Sequence, residues 1–424
     1  MQKKVALIDC NNFFVSCERL FNPQLKDKPI VVLSNNDGCI VSRSNEAKAL
    51  GIAMGMPLFK CLDVVKKYDV QVFSSNFILY GDISHRVMDT LRQFSPEVEI
   101  YSIDEAFIAL NLNTNQETVE YGKKIRETIL KWVGVPVSVG ISSTKTLAKA
   151  ASEIAKKNLD FEGVLEIDKE NVDIMLSVLP VGDVWGIGRQ YARFLKKHAV
   201  ETALDLRELS DEWVRKNLTV SGLKTVWELR GKGCIDFEHV PPARKSIISS
   251  RSFGKPVADY ISLREAVASY TSIAAEKLRN QKLVASCVLV YITTNRFKEQ
   301  EKQYSNSYVL RLLEATNDTS ILVKHATEAL KKIYKKGFKY KKAGVLLLDL
   351  VSENNIQANL FTNQRGKIKR SKLLHALDFI NNRWGGNTVS VAAAGIKKPW
   401  KANQARKTGR LTTSWDELPK VKTR

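Results

Sequence analysis

A short apolar run that ends in an acid, VALID at Val5 to Asp9, is the feature that most narrows what this chain can fold into. A run without polar alternation suits a strand buried on both faces, which sits inside a sheet and delivers Asp9 at its tip. A matching feature comes later: EVEIYSIDEAFIAL, Glu97 to Leu110, reads as two strands flanking Asp104 and Glu105. Between them lies PIVVLSNNDGCIVSRS, in which Asn35-Asn36-Asp37-Gly38 is a hairpin-turn signal joining two short strands, so an insertion separates the first strand from the acidic pair. Helical spacing over 121–133, an apolar strand VPVSVGI over 135–141 and a helical pattern from Lys145 to Lys156 give a β-α-β-β-α-β order. The expected fold class is α+β, with a ferredoxin-like layer that carries insertions.

The character changes near Leu179. LPVGDVWGIGRQYARFLKKHAVETALDL reads as a glycine-bearing loop with Gly182, Gly186 and Gly188, then a helix and a second short helical segment, the pattern of a helix-hairpin-helix. Glycines in such a loop let backbone approach a phosphate while the free amides of the next helix point at it. After Pro241-Pro242 the stretch ARKSIISSRSFGKPV reads as a basic linker. Residues 263–350 then alternate helix (264–280), strand (286–293), strand (305–312), helix (320–336) and strand (343–350), a second compact α+β domain. Beyond Glu353 the pattern thins to one helix-like stretch near Ser371 to Asn381, as expected of a tail ordered mainly with partners.

The formal charge is +21 and the isoelectric point near 9.6, which points to a polyanionic partner. Residues 331–424 hold 22 Lys and Arg against 5 Asp and Glu, leaving only +4 for the first 330 residues. No apolar run approaches the roughly 20 residues that span a bilayer, and MQKKVALIDC turns polar before a signal-peptide core could form, so a cytoplasmic chain with no membrane partner is expected. The six cysteines contain no CxxC pair and the five histidines are scattered, which leaves neither zinc spacing nor a disulfide framework.

Three carboxylates at the ends of adjacent strands repel one another unless cations neutralise them. Two Mg²⁺ ions would supply that compensation, and a pair of such ions clamps the attacking and leaving oxygens of a phosphoryl transfer. Solvated strand ends are the alternative for the same three acids.

The opening LIDCNNFFVSCE, the YSIDEAF segment, GISSTKTLAKAASEIAKK and VWGIG together resemble the Y-family DNA polymerases of the UmuC (ImpB/MucB/SamB) type. The resemblance runs on through VVLSNNDGC, EAKALGI, ELRG, SRSFG, AAEKLR and YKKAGV, essentially the whole chain. It implies a right-hand polymerase performing error-prone translesion synthesis in the SOS response. Its parts would be a palm (1–20 and 77–165), inserted fingers (21–76), a helix-hairpin-helix thumb (166–240), a little finger (241–352) and a basic partner-binding tail (353–424). By the same resemblance Asp9, Asp104 and Glu105 would hold the two metals, with the main-chain carbonyl of Cys10 as a further ligand. Asn12 and Phe13 would offer amides to the triphosphate, Phe14 would be the steric gate against a ribose 2′-hydroxyl, and Ser42, Lys48 and Lys156 would contact phosphates. Many relatives carry Tyr at the position of Asn45 and Arg at that of Lys48, and a point charge in place of a bidentate fork changes the nucleotide contacts of that segment. Core packing is the alternative for Phe14, and a solvated surface charge for any exposed lysine.

Gly186, Gly188, Arg244 and Lys245 would grip phosphates of primer-template DNA independently of sequence. Gln357, Leu360 and Phe361, in QANLF, resemble the peptide by which bacterial polymerases dock on the sliding clamp. The resemblance further implies a cleaved UmuD-type dimer and RecA as partners, and Trp384, Trp400 and Trp415 in the polar tail suggest interface anchors. Two rival readings remain at this stage, another palm-type nucleotidyl enzyme and a non-catalytic DNA-binding subunit.

Overall fold

The computed structural model describes residues 4–111, 115–238, 243–355 and 364–418. Two compact units divide the chain: Met1–Leu33, Cys39–Pro241 and Arg406–Arg424 form the first, Ser34–Gly38 and Pro242–Ala405 the second.

In the first unit the chain runs β1 (Lys4–Cys10), α1 (Phe13–Leu20), β2 (Ile30–Leu33), β3 (Ile40–Arg43), α2 (Asn45–Ala49), α3 (Leu62–Lys67), β4 (Gln71–Ser74), α4 (Phe77–Leu91), β5 (Val98–Ile100) and β6 (Glu105–Leu110). It continues with α5 (Asn115–Val133), β7 (Val137–Ser142), α6 (Lys145–Lys157), β8 (Val164–Glu166), α7 (Val172–Val178), α8 (Arg189–Lys197), α9 (Ala203–Glu208) and α10 (Asp211–Leu229). The main sheet has the order β5-β6-β1-β7-β8, with β1 antiparallel to both β6 and β7. This is the ferredoxin-like order expected from the sequence, extended at one edge by β8, which lies parallel to β7. As the VALID run requires, six of the seven residues of β1 are buried between its neighbours. The Asn35–Asp37 turn does join two antiparallel strands, β2 and β3, and β4 adds parallel to β2. This small sheet has its own core of Val31, Leu33, Ile40 and Ile52.

Helix α6 packs unusually close to β7. Its Thr144 cap accepts from Leu147 N at 3.3 Å, and its buried face carries Ala148, Ala151 and Ala155. A side chain at Gly140 of β7 would meet Ala148 O and Ser152 N, each at 2.1 Å. The glycine is therefore needed for backbone approach rather than for its conformational range, and the approach sets the helix against the sheet.

The second unit contains β9 (Ser246–Val257), α11 (Tyr260–Asn280), β10 (Leu283–Thr294), β11 (Ser305–Thr316), α12 (Thr319–Ile333), β12 (Tyr340–Ser352) and α13 (Gln364–Trp384). The sheet order is β11-β10-β12-β9, antiparallel throughout, under α11 and α12. The basic-linker reading of ARKSIISSRSFGKPV is corrected here, because 246–257 is a full edge strand that buries Ile247, Ser249, Phe253 and Val257. Serine at an inward position and a register shift against β12 hid its alternation. The tail is also more ordered than expected. Arg279 of α11 pins α13 by a buried two-pronged bond to Asp378 at 2.6 and 2.7 Å, and Trp400 enters the core at 4% exposure. Trp384 and Trp415 stay exposed at 62% and 88%.

Candidate functional site

Asp9 and Glu105 face each other in register at the tips of β1 and β6. Asp104 precedes β6, where its carbonyl accepts from Cys10 N at 2.9 Å and its carboxylate is held by Ser102 Oγ at 2.5 Å. The same Ser102 hydroxyl accepts from the Asp104 and Glu105 amides, so one serine shapes the turn that presents both acids.

The acids have cationic partners from one helix. Lys149 and Lys156 of α6 are two turns apart and share a face. Lys149 Nζ lies 3.0 and 2.8 Å from the two Glu105 oxygens, and Lys156 Nζ is paired with Asp9 Oδ2. Lys149 also stands over the rings of Tyr101 and Trp185, which are joined by a 3.0 Å bond from the indole to the phenol oxygen. Burial pushes the Asp9 carboxyl up to about 7 against the pull of Lys156, and its hydrogen bond to Glu105 adds to the rise. Burial also acts on Glu105, but the bonds from Asp9 and Lys149 outweigh it and hold that group below its ordinary range. Each acid of the pair thus rests on an ammonium group from the same helix, Asp9 on Lys156 and Glu105 on Lys149.

Of the three predicted acids, the fold thus joins Asp9 and Glu105, while the Asp104 side chain turns to Ser102. Among the described residues no group of three or more His, Cys, Asp or Glu side chains could hold a metal ion. The donor chemistry nevertheless suits a hard cation, since the paired carboxylates are compensated by charge that a divalent ion would replace. The Cys10 thiol is buried, and that burial pushes it well above its ordinary value.

Asn12 sits in the left-handed region (φ 48°) immediately before α1, and its side chain donates to Asn45 Oδ1 at 3.1 Å. Lys48 Nζ donates to the same oxygen at 3.1 Å, and Ser42 Oγ donates to Asn12 O at 3.4 Å. Partial burial, with smaller contributions from the neighbouring charges of Arg43 and Lys156, holds the Lys48 ammonium below its ordinary value. Phe13 is buried in the core behind β1, whereas Phe14 is half-buried and stacks on Tyr80 at 4.6 Å and 14°.

Gly186 takes φ +90°, and Gly188 caps α8. A side chain at Gly188 would meet nothing within 4 Å, so the fold leaves its backbone open. Arg244 and Lys245 are exposed. Gln357, Leu360 and Phe361 lie outside the described residues. The sequence reading missed Lys149, whose signal was its seven-residue spacing from Lys156, and Tyr80, which had none. No helix among the described residues is long and apolar enough to cross a membrane.

The impB/mucB/samB family model matches residues 8–153 and the C-terminal domain of that family matches 244–360, while residues 371–421 match a domain of unknown function, DUF4113. Protein UmuC of Salmonella typhimurium is 42% identical over 98% of this chain and 100% of its own length. Protein ImpB of the same species is 39% identical over 98% of both chains. Among solved structures, a Y-family DNA polymerase chimera of Dbh and Dpo4 superposes with a TM-score of 0.65 at 22% identity, covering 82% of this chain and 99% of the other. The ferredoxin-like sheet with acids at its central strand tips, read together with these matches, means that the chain belongs to the impB/mucB/samB family, the UmuC-type Y-family DNA polymerases.

Proposed function

We propose that Asp9, Asp104 and Glu105 carry the nucleotidyl transfer of this template-directed polymerase. The chain is a DNA polymerase of the error-prone translesion type. The observation that carries the site reading is the in-register pair Asp9 and Glu105, each paired with a lysine of α6. Two Mg²⁺ ions held by the three acids and the Cys10 carbonyl would supply the positive charge that nucleotidyl transfer needs on its attacking and leaving oxygens. The reading requires Asp104 to leave Ser102 when cations bind.

The chain's own residues do the rest. The Asn12 and Phe13 amides, Ser42, Lys48 and Lys156 hold the triphosphate, and the partly buried Lys48 ammonium near Arg43 and Lys156 supports this because a bound anion would stabilise it. Phe14 excludes a ribose 2′-hydroxyl by overlap. The palm, fingers, thumb and little finger follow the boundaries 1–20 with 77–165, 21–76, 166–240 and 241–352. The Gly186 and Gly188 amides, Arg244 and Lys245 hold backbone phosphates of the primer-template. A cleaved UmuD-type dimer, RecA and a sliding clamp engaged through Gln357, Leu360 and Phe361 are the proposed partners, at work in the cytoplasm.

The test is primer extension with Mg²⁺ and the accessory subunits, comparing wild type with Asp104→Ala and Phe14→Ala. The first variant should not extend a primer and the second should incorporate ribonucleotides. Wild-type behaviour in both would overturn the assignment and favour a non-catalytic role for these acids.

A further inference from the structure

The end of the DUF4113 match, a region with no assigned role, is bound to the first unit behind the Phe14 ring. Arg406 is tied to Ser74 twice, its carbonyl accepting from Ser74 N and its amide donating to Ser74 Oγ, both at 3.0 Å. The Asn76 side-chain amide then donates to Thr408 O, Thr408 Oγ1 and Gly409 O at 3.1, 3.0 and 2.9 Å. Since Thr408 Oγ1 accepts from Asn76, its own proton is available to Glu18 Oε1, 3.3 Å away. Leu411 packs on the core under β1, and Arg410 closes the segment by bonding Glu417.

Glu18 and Tyr80 are 3% and 0% exposed, and the Tyr80 hydroxyl donates to the same Glu18 oxygen at 2.6 Å. The Tyr80 ring is the surface against which Phe14 stacks, with Phe77 edge-on to Phe14 at 5.8 Å. An unbroken path therefore leads from Thr408 through Glu18 and Tyr80 to the Phe14 ring. A buried carboxylate with two hydroxyl donors is a fixed point, and loss of one donor leaves it under-satisfied and free to shift the other.

We propose that the Arg406–Leu411 segment is a strap that positions the Phe14 ring through Glu18 and Tyr80, so that Thr408 is a positioning residue for sugar discrimination. The inference rests on the reading of Phe14 as the gate. It gives the carboxy-terminal domain a role in substrate choice that its distance in sequence from Phe14 conceals.

The experiment measures kcat/KM for dATP and for ATP in primer extension by the full chain with its accessory subunits, for wild type, Thr408→Val, Thr408→Ser, Leu411→Asp and Phe14→Ala. Thr408→Val keeps the size and loses the hydroxyl, and is expected to lower the preference for dATP about three- to tenfold while leaving the rate with dATP near wild type. Thr408→Ser restores the donor and should restore the preference, which a purely structural role would not require. Leu411→Asp frees the strap by another route and should lower the preference in the same direction. Wild-type discrimination in Thr408→Val and Leu411→Asp, with discrimination lost in Phe14→Ala, overturns the strap and leaves the gate standing. Discrimination retained in Phe14→Ala overturns the gate, and the strap's role with it.

Discussion

Lys149 holds both carboxylate oxygens of Glu105, at 3.0 and 2.8 Å, from a helix that also sends Lys156 to Asp9. A lysine in this position competes with any cation that Glu105 would bind. Lys149→Met is therefore expected to bind Mn²⁺ more tightly than wild type in the absence of nucleotide, by roughly fivefold for a half-buried charge pair. Titration followed by electron paramagnetic resonance reads this directly. Weaker binding in the variant would mean that Lys149 supports the cation site instead of competing for it.

Lys145, four residues before Lys149, makes a different kind of pair. Its ammonium is 2.5 Å from Glu99 and 2.7 Å from Asp236 O, between the rings of Phe107 and Phe237, with almost no exposure. Lys145→Met leaves Glu99 buried with, among the described residues, the Glu238 amide at 2.8 Å as its remaining hydrogen-bond donor, and should cost about 3–5 kcal/mol in urea unfolding. The double variant with Glu99→Met should recover more than half of that loss. Equal stability of single and double variants would argue that Glu99 finds another partner.

At Gly140 the backbone of α6 leaves no room for a methyl group. Gly140→Ala should destabilise the chain by about 3 kcal/mol, because the clashing atoms are main chain and cannot rotate away. It should also slow primer extension by displacing the helix that carries Lys149 and Lys156. Denaturant melts and single-turnover rates check the two effects separately.

The pH behaviour of Glu18 has a definite sign. Burial raises its carboxyl above the ordinary value of 4.5, and the bonds from Tyr80 and Thr408 only partly offset this. The folded state thus holds the proton more tightly than the unfolded state. The associated stability is fully present below the unfolded value and is lost as pH rises through the folded one. Glu18→Gln cannot ionise, so its unfolding midpoint relative to wild type should be higher at pH 8 than at pH 4.5. A difference that shrinks with rising pH would contradict the assignment.

Much of the catalytic unit was legible because its signals are local. VALID declares a central strand by its lack of alternation, the Asn-Asn-Asp-Gly cluster declares a turn, and the spacing of Lys145 to Lys156 declares a helix. The sequence also placed Asp9, Asp104 and Glu105 at strand ends. It set them at the ends of adjacent strands but could not give the residue-for-residue pairing of Asp9 with Glu105, because that is a matter of cross-strand register between segments distant in the chain. Nor could it say that Asp104 would turn to Ser102, a choice made by one hydroxyl in a tight turn. The strand over 246–257 was hidden by inward serine, since Ser249 is buried by its neighbours and not by its own hydrophobicity. What the sequence alone determined was the set of elements and the chemistry available at their ends, both of which depend on residues near one another. Tertiary structure decided which of those ends touch, and that depends on packing: Gly140 admits α6 and its lysines, and Ser74 and Asn76 draw Thr408 back to Glu18.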